Sequence, residues 1–562
     1  MRNVLQQKDN FVIGVDFGTD SVRAIVANTA DGEVLATSVF EYPRWKEQLY
    51  CNPDKNQFRQ HPLDYIEGLK ATINTCVTEL GPEAAAKIKA LSLATTGPTT
   101  VPVDESGIPL SLYEEFADDP DGMFWLWKDH TSNKEAEEIT EHSKKFSINY
   151  LKPVGGIYTA EWFWAKWLHV LRINLRIRNA CYSWVEHCDW MPFLLSGKNH
   201  ISELKRSHSA ASFKALWNNS WNGWPPNEFF ASLDPLLDGA TKRLFNNLAA
   251  PHNVAGYLSK DWSINLGLDT NVLIGMGSFD CYTGAVGAQI QPYHLVKNMG
   301  TSSCDVLIVP KCDLKDKWVQ GISGQSMDAI VPGTMGLLAG QSAFGDAYNW
   351  LKKILCWSLE HVLAASSLIN DDYKRKLIEE VANKILPELA LKAMEKPKTE
   401  KDELAVDWLN GRRSPDAEHD VKAAFVGLNL STDAPSLFNA LAEATCYGAK
   451  AIIDRFEEEG LPIISIIGAG GIAKKNPYIM QMLADVVNLP VRISKAQYTS
   501  ALGAAMFAAT ASGIFTSIEE AMQFMGQGFE TEYYPDKKRN EFYAKRYQKY
   551  RSLGEYLQGA NF

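Results

Sequence analysis

Two short runs of small polar residues, Gly18-Thr19-Asp20-Ser21 and Gly300-Thr301-Ser302-Ser303, stand about half the chain apart. Each follows a strand-like stretch, Val12 to Asp16 in one case and Leu295 to Met299 in the other. Glycine permits close backbone approach and positive φ, and Thr and Ser add hydroxyl donors, which suits a turn whose N–H groups wrap a phosphate. Such residues also dominate ordinary hairpin turns. Either copy alone is ambiguous, but two copies at corresponding places point to one nucleotide held between two related domains. No GxxxxGK[ST] sequence occurs, so a P-loop is excluded as the phosphate device. A third cluster, Gly468-Ala469-Gly470-Gly471, follows the apolar run Ile463 to Ile467 and precedes a helix predicted over 477–487, letting a planar base lie against bare backbone. A polar turn, Ala94-Thr95-Thr96-Gly97-Pro98-Thr99, ends a buried strand predicted over 88–93, where open α/β sheets place ligands.

These turns need strands behind them. Val22 to Val26 and Val306 to Val309 leave the two phosphate-type turns as second strands, so each unit reads as a β-hairpin. Strands continue to about Val39, and a loop rich in Tyr, Trp, Pro and Asn from Tyr42 to His61 is expected to cover something. Pro62 to Leu80 has the periodicity of an amphipathic helix. Trp162, Trp164 and Trp167, around Lys166, have helical spacing and read as core. Val272 to Gly277 is another apolar strand, ending in Ser278-Phe279-Asp280 and continuing through the small-residue run Thr283 to Ala288. The second half opens near Gln291. From Ser358 to Asp420 the composition turns charged and helical, and this stretch, Lys396 to Glu403 included, reads as a solvated surface insertion. Helix resumes over 436–459.

At 562 residues, 46% hydrophobic and 22% charged, the chain predicts two to four globular domains. Its net charge of −11 argues against a sequence-independent nucleic-acid binder, which needs a basic face. The nine cysteines are dispersed without CxxC spacing, so neither a disulfide framework nor a zinc site is signalled, and Cys181, His187 and Cys188 read as core. Charges at Arg2, Lys8 and Asp9, and the lack of any apolar run of about eighteen residues, predict a soluble cytoplasmic protein without membrane partners.

With these pieces placed, the chain resembles the FGGY carbohydrate kinases of the actin-like ATPase superfamily, and within them most closely the L-ribulokinases. The stretches that carry the resemblance are Gly14 to Ala24, Trp127 to Thr131, Glu186 to Trp190, Phe279 to Cys281, Gly300 to Asp305, Gly340 to Asp346 and Asp407 to Arg413. It implies an α/β fold of two ribonuclease-H-like domains flanking a central cleft for nucleotide and sugar. Residues 1–290 would bind sugar and supply the base; residues 291–562 would bind ATP and carry the charged insertion at about 358–420.

The resemblance also implies roles. Asp280 matches the catalytic aspartate, which accepts the proton of a sugar hydroxyl as it attacks the γ-phosphorus; by spacing alone it serves equally as an N-cap. Asp16 matches a carboxylate that positions Mg2+ through water. Gly18, Thr19, Ser21, Gly300, Thr301 and Ser302 match the phosphate turns, and Gly470, Gly471 and Asn476 the adenosine region. Gly97 and Pro98 occupy the sugar-side turn, and Lys214 matches a lysine that approaches the ketose. Two departures stand out. Leu338 occurs where ribulokinases usually carry a ketose-contacting glutamate, and Ala94 replaces a common aspartate two places before the Thr-Gly pair, with Pro98 after it.

The implied activity is MgATP-dependent phosphorylation of a ketopentose, best fitted by L-ribulose giving L-ribulose 5-phosphate in arabinose catabolism. Another pentulose or a pentitol, such as D-ribulose, xylulose or ribitol, is an alternative, as is a non-catalytic, sugar-responsive actin-like ATPase module. Oligomeric state, a homodimer included, stays open.

Overall fold

The computed structural model of the protein describes residues 10–314, 318–418 and 420–560; Arg2, Lys8 and Asp9 lie outside them. β1 (Phe11–Phe17) and β2 (Ser21–Asn28) form the first hairpin, with Asp16 opposite Arg23. β3 (Val34–Glu41) continues antiparallel to β2. Every residue of β1 except Asp16 is buried, as expected for a strand covered on both faces. α1 (Pro62–Leu80) has the bounds its sequence predicts: proline opens it, His61 Nδ1 accepts from the Leu63 N–H, and Gly81 follows at φ +74°. β4 (Ile88–Thr95) runs parallel to β1 and sets Ala94 beside Asp16.

The tryptophan-rich stretch then builds α2 (Phe163–Ile173) and α3 (His208–Lys214). Trp164 and Trp167 are core, Trp164 lying 3.9 Å from the Phe230 ring and Trp167 stacking with Trp184. β5 (Val254–Tyr257), β6 (Leu273–Gly275) and β7 (Ser278–Phe279) complete a sheet ordered β5-β6-β4-β1-β2-β3, with β7 beside β4. α4 (Asp280–Gly287) leaves its edge.

The second half repeats the plan. β8 (His294–Met299) and β9 (Ser303–Pro310) form its hairpin, and β10 (Gly324–Met327) and β11 (Thr334–Gln341) extend it antiparallel. After α5 (Asp371–Glu395) and α6 (Ala434–Glu458), β12 (Ser465–Ala469) enters parallel to β8. α7 (Gly471–Lys475) and α8 (Pro477–Val487) follow, then β13 (Val491–Ser494), α9 (Thr499–Ala511) and β14 (Phe529–Tyr533). The order is β10-β11-β9-β8-β12-β13-β14. In both sheets the hairpin strands lie beside an antiparallel third strand on one side and two parallel strands on the other, the ribonuclease-H-like pattern.

The insertion departs from its solvated reading. Ser358–Leu363 and α5 are largely exposed, but Lys398 donates to Tyr478 Oη at 2.8 Å and Tyr543 Oη at 3.0 Å, and Asp407 and Trp408 are buried. A lysine stem buries readily against aromatic faces while its ammonium finds hydroxyls, so the charge run there is part of the packing.

A core shared by both halves joins the sheets, with Val12, Ile25 and Tyr282 meeting Val306, Leu338 and Ala505. α9, from the second half of the chain, lies on β1 and α4 so closely that a Cβ at Gly14, Gly287 or Gly503 would overlap the backbone of Ala501, Thr499 or Thr283. Among the described residues no helix is long and apolar enough to cross a membrane.

Candidate active site

Strand ends from both sheets open onto one cleft of about 340 Å³. Thr19, Gly97, Pro98, Lys214 and Asp280 line it from the first half; Gly300, Thr301, Ser302, Leu338, Gly470 and Gly471 line it from the second. Gly18, Ser21, Asp16 and Asn476 are not on its wall. The Gly18 N–H donates to Ser21 O at 2.9 Å and closes the first turn, and the Gly300 N–H donates to Ser302 O at 3.0 Å in the second. The two glycine N–H groups are therefore spent on closing the turns themselves. Asn476 caps α8, its Oδ1 accepting from the Ile479 N–H at 3.2 Å.

Asp280 is the first residue of α4, half-buried where β7 ends. Burial pushes its carboxyl well above the usual carboxylate range, with Asp16 and Cys304 adding to the rise. A base whose pKa climbs toward the working pH takes a proton more strongly. Phe279, just before it, sits against Gly97, where any Cβ would strike the phenyl ring. The glycine of the strand-end turn thus lets the strand that leads into Asp280 approach. Lys166, buried and missed as a site residue, holds that turn by donating to Pro98 O at 3.1 Å, with Trp125 O and Leu126 O as further acceptors.

Asp16 is raised to about 6 by burial, opposed by Arg23. Its Oδ1 is buried and finds no hydrogen-bond partner among the described residues. A carboxylate oxygen left over in this way fits a hydrated hard cation. Among the described residues no group of three or more His, Cys, Asp or Glu is placed to hold a metal alone, so a cation here would share its ligands with bound phosphates. Ala94 beside Asp16 supplies no second carboxylate.

On another wall of the cleft, Lys214 Nζ donates to Ser323 O at 3.0 Å, lies 4.2 Å from the centre of the Trp162 ring, and is pulled down to about 8 by burial. Trp162 lines the cleft as well as packing in the core, so its helical spacing disclosed only half its role. Glu161 and Arg413, from opposite halves, pair at 3.0 Å on the same wall. Despite burial, Arg413 and then His130 hold the Glu161 carboxyl far below its ordinary range. Sequence reasoning did not assign either residue a role. Both lie in or beside stretches rich in chemistry, but nothing local announces a pair 252 residues apart. Leu338, opposite Val306 and Gly324, gives this wall an apolar patch.

At another edge of the cleft, Gly470 (φ +92°) passes so close to Met299 that a Cβ would lie 2.6 Å from its carbonyl oxygen, whereas Gly471 has open space in front of it.

Residues 11–287 match the N-terminal domain, and residues 295–512 the C-terminal domain, of the FGGY family of carbohydrate kinases. The chain is 41% identical to a ribulokinase of Vibrio parahaemolyticus over 97% of its length and 96% of that protein's. It is 33% identical to a ribulokinase of Halalkalibacterium halodurans over 98% of its length and 96% of that protein's. Its fold superposes on a xylulose kinase from Rhodospirillum rubrum with a TM-score of 0.76 at 20% identity, covering 98% of this chain and all of the other.

Proposed function

The chain belongs to the FGGY family of carbohydrate kinases, and we propose that it transfers the γ-phosphoryl group of ATP to a terminal hydroxyl of L-ribulose, giving L-ribulose 5-phosphate. The observation that carries the transfer chemistry is Asp280 facing a cleft shared with both phosphate turns. The near end-to-end similarity to ribulokinases supports the sugar.

The sugar lies against Gly97, Pro98 and Lys214, with its terminal hydroxyl at Asp280. As that oxygen attacks the γ-phosphorus and the bond to the leaving ADP oxygen breaks, Asp280 takes the hydroxyl proton. The transition state of such transfers is loose, so catalysis rests on positioning and charge stabilisation. Thr19 Oγ1 accepts from Trp127 Nε1 at 3.1 Å, which leaves its own O–H to donate into the cleft. Thr301 and Ser302 offer donors from the opposite side. Bound Mg2+ would neutralise phosphate charge, and Asp16 would hold it through water. Cleft closure excludes water and protects ATP from hydrolysis.

Leu338 favours a second reading, in which the substrate is another pentulose or a pentitol lacking a hydroxyl at that wall. ADP release measured with L-ribulose, D-ribulose, L- and D-xylulose and ribitol tests both. Strong stimulation by L-ribulose is expected. Preference for another sugar selects the second reading, and turnover indifferent to every sugar would refute a kinase.

A further inference from the structure

Phosphoryl transfer makes no use of two thiols in the cleft. Cys281 follows the base on the first turn of α4, and Cys304 follows the second phosphate turn at the start of β9. They come from opposite halves of the molecule and are brought together at Asn298, whose Nδ2 donates to Cys281 O at 3.3 Å and which lies opposite Cys304 in the hairpin. Both are partly exposed, whereas Cys76, Cys181, Cys188, Cys356 and Cys446 are buried. The neighbouring Cys281 thiol draws Cys304 down to about 7 against burial and the Asp305 carboxylate, with Arg413 and Lys214 also favouring the thiolate. An accessible thiolate with a second thiol beside it in one cleft is the arrangement that peroxide oxidises to a disulfide.

We propose that Cys281 and Cys304 are a peroxide-sensitive site whose oxidation joins the two halves across the cleft and stops transfer. Cys304 Sγ attacks one oxygen of hydrogen peroxide; the O–O bond breaks, water leaves, and a sulfenic acid remains. The Cys281 sulfur then attacks Cys304 Sγ, the S–O bond breaks, and the hydroxyl departs as a second water with the Cys281 proton. The two thiols lose two electrons and the peroxide gains them. A dithiol reverses the step by exchange. The bond fixes the residue after the base to the residue after the phosphate turn, so the two sides cannot adjust around the reactants.

The test treats the reduced full-length protein with hydrogen peroxide, then measures ADP release with the sugar that best stimulates it and maps non-reduced peptides. A rate lowered by about tenfold or more is expected, since displacement of reacting groups by an ångström is costly. A linked Cys281–Cys304 peptide lacking two hydrogens should accompany it, and dithiothreitol should restore the rate. Cys281→Ser and Cys304→Ser, each compared with its own untreated rate, should resist peroxide. Absence of the linked peptide, a link without loss of rate, loss that dithiothreitol does not reverse, or serine variants as sensitive as the wild type would overturn the proposal. The peptide map is read without any sugar, so it stands apart from the substrate assignment, and it stands on the wild type should a variant fail to fold.

Discussion

The two glycine turns at 18–21 and 300–303 share residue types and a hairpin setting, yet they are held in different ways. The first is propped by side chains from outside its sheet: Gln60 Nε2 donates to Thr19 O at 2.6 Å, Trp127 Nε1 to Thr19 Oγ1 at 3.1 Å, and Trp45 Nε1 to Asp20 Oδ1 at 2.7 Å. The loop over 42–61, expected to cover something, helps to cover this turn. The second is anchored from beneath by a buried charged network. Lys297 Nζ donates to Ser303 Oγ and Asp305 at 2.9 Å and to Gln341 Oε1 at 2.8 Å; Gln341 Nε2 and Tyr550 Oη both donate to Asp407 at 2.8 Å. Gly345 approaches Gly300 O too closely for any Cβ. One turn chemistry therefore tolerates two kinds of support, neutral side-chain donors reaching a partly exposed turn in one half, a buried ionic network in the other.

Breaking the ionic support should have the largest effect. Lys297→Met strands Asp305 as a buried, unpaired charge, an arrangement that costs about 3–5 kcal/mol. Scanning calorimetry should show a markedly lower unfolding temperature, and Lys297→Met with Asp305→Leu should recover much of it. A single variant as stable as the wild type would show that the network does not carry the second turn.

Asp280→Asn tests the purpose the turns share. It should lower kcat by at least about a hundredfold, or roughly 2.7 kcal/mol, with ATP affinity nearly unchanged. Because burial and Asp16 raise the Asp280 carboxyl, wild-type kcat/KM should fall as pH drops through a value well above the ordinary carboxylate range. More than a third of activity in the variant, or an acid limb at the unperturbed aspartate position, would remove Asp280 as the base.

Leu338→Glu probes the wall beyond the second turn. If the apolar patch marks lost ribulose recognition, kcat/KM for L-ribulose should rise about tenfold, roughly 1.4 kcal/mol, as one hydrogen bond to a charged group supplies. A wild type already strongly selective for L-ribulose, and a variant worse on it, would refute that reading.

The smallest effect belongs to the neutral support. Trp127→Phe deletes one hydrogen bond to Thr19, worth about 1 kcal/mol, and should raise KM a few-fold without the thermal loss of Lys297→Met. Equal destabilisation by the two variants would erase the contrast.

Much of the frame was legible because local chemistry decided it. Helices 62–80 and 477–487 begin at prolines and carry their periodicity openly, and both hairpins announce themselves by glycine and hydroxyl residues between strand-like runs. The polar wall was not legible. Glu161 is paired with Arg413, a partner only the folded chain supplies, and Lys398 looks solvated until Tyr478 and Tyr543 are beside it. Trp162 shows the limit of periodicity, which reports that a face is buried and is silent on whether a cavity opens there.

Because α9 rests on β1 and α4 at backbone distance, the two sheets do not correspond to two separable lengths of gene. A polypeptide ending near Gln291 would leave bare the apolar surface that residues 499–511 cover, and would aggregate by itself. Supplied with the remainder of the chain in the same cell, it should regain its missing layer, so that the pieces act as complementing fragments of one indivisible enzyme.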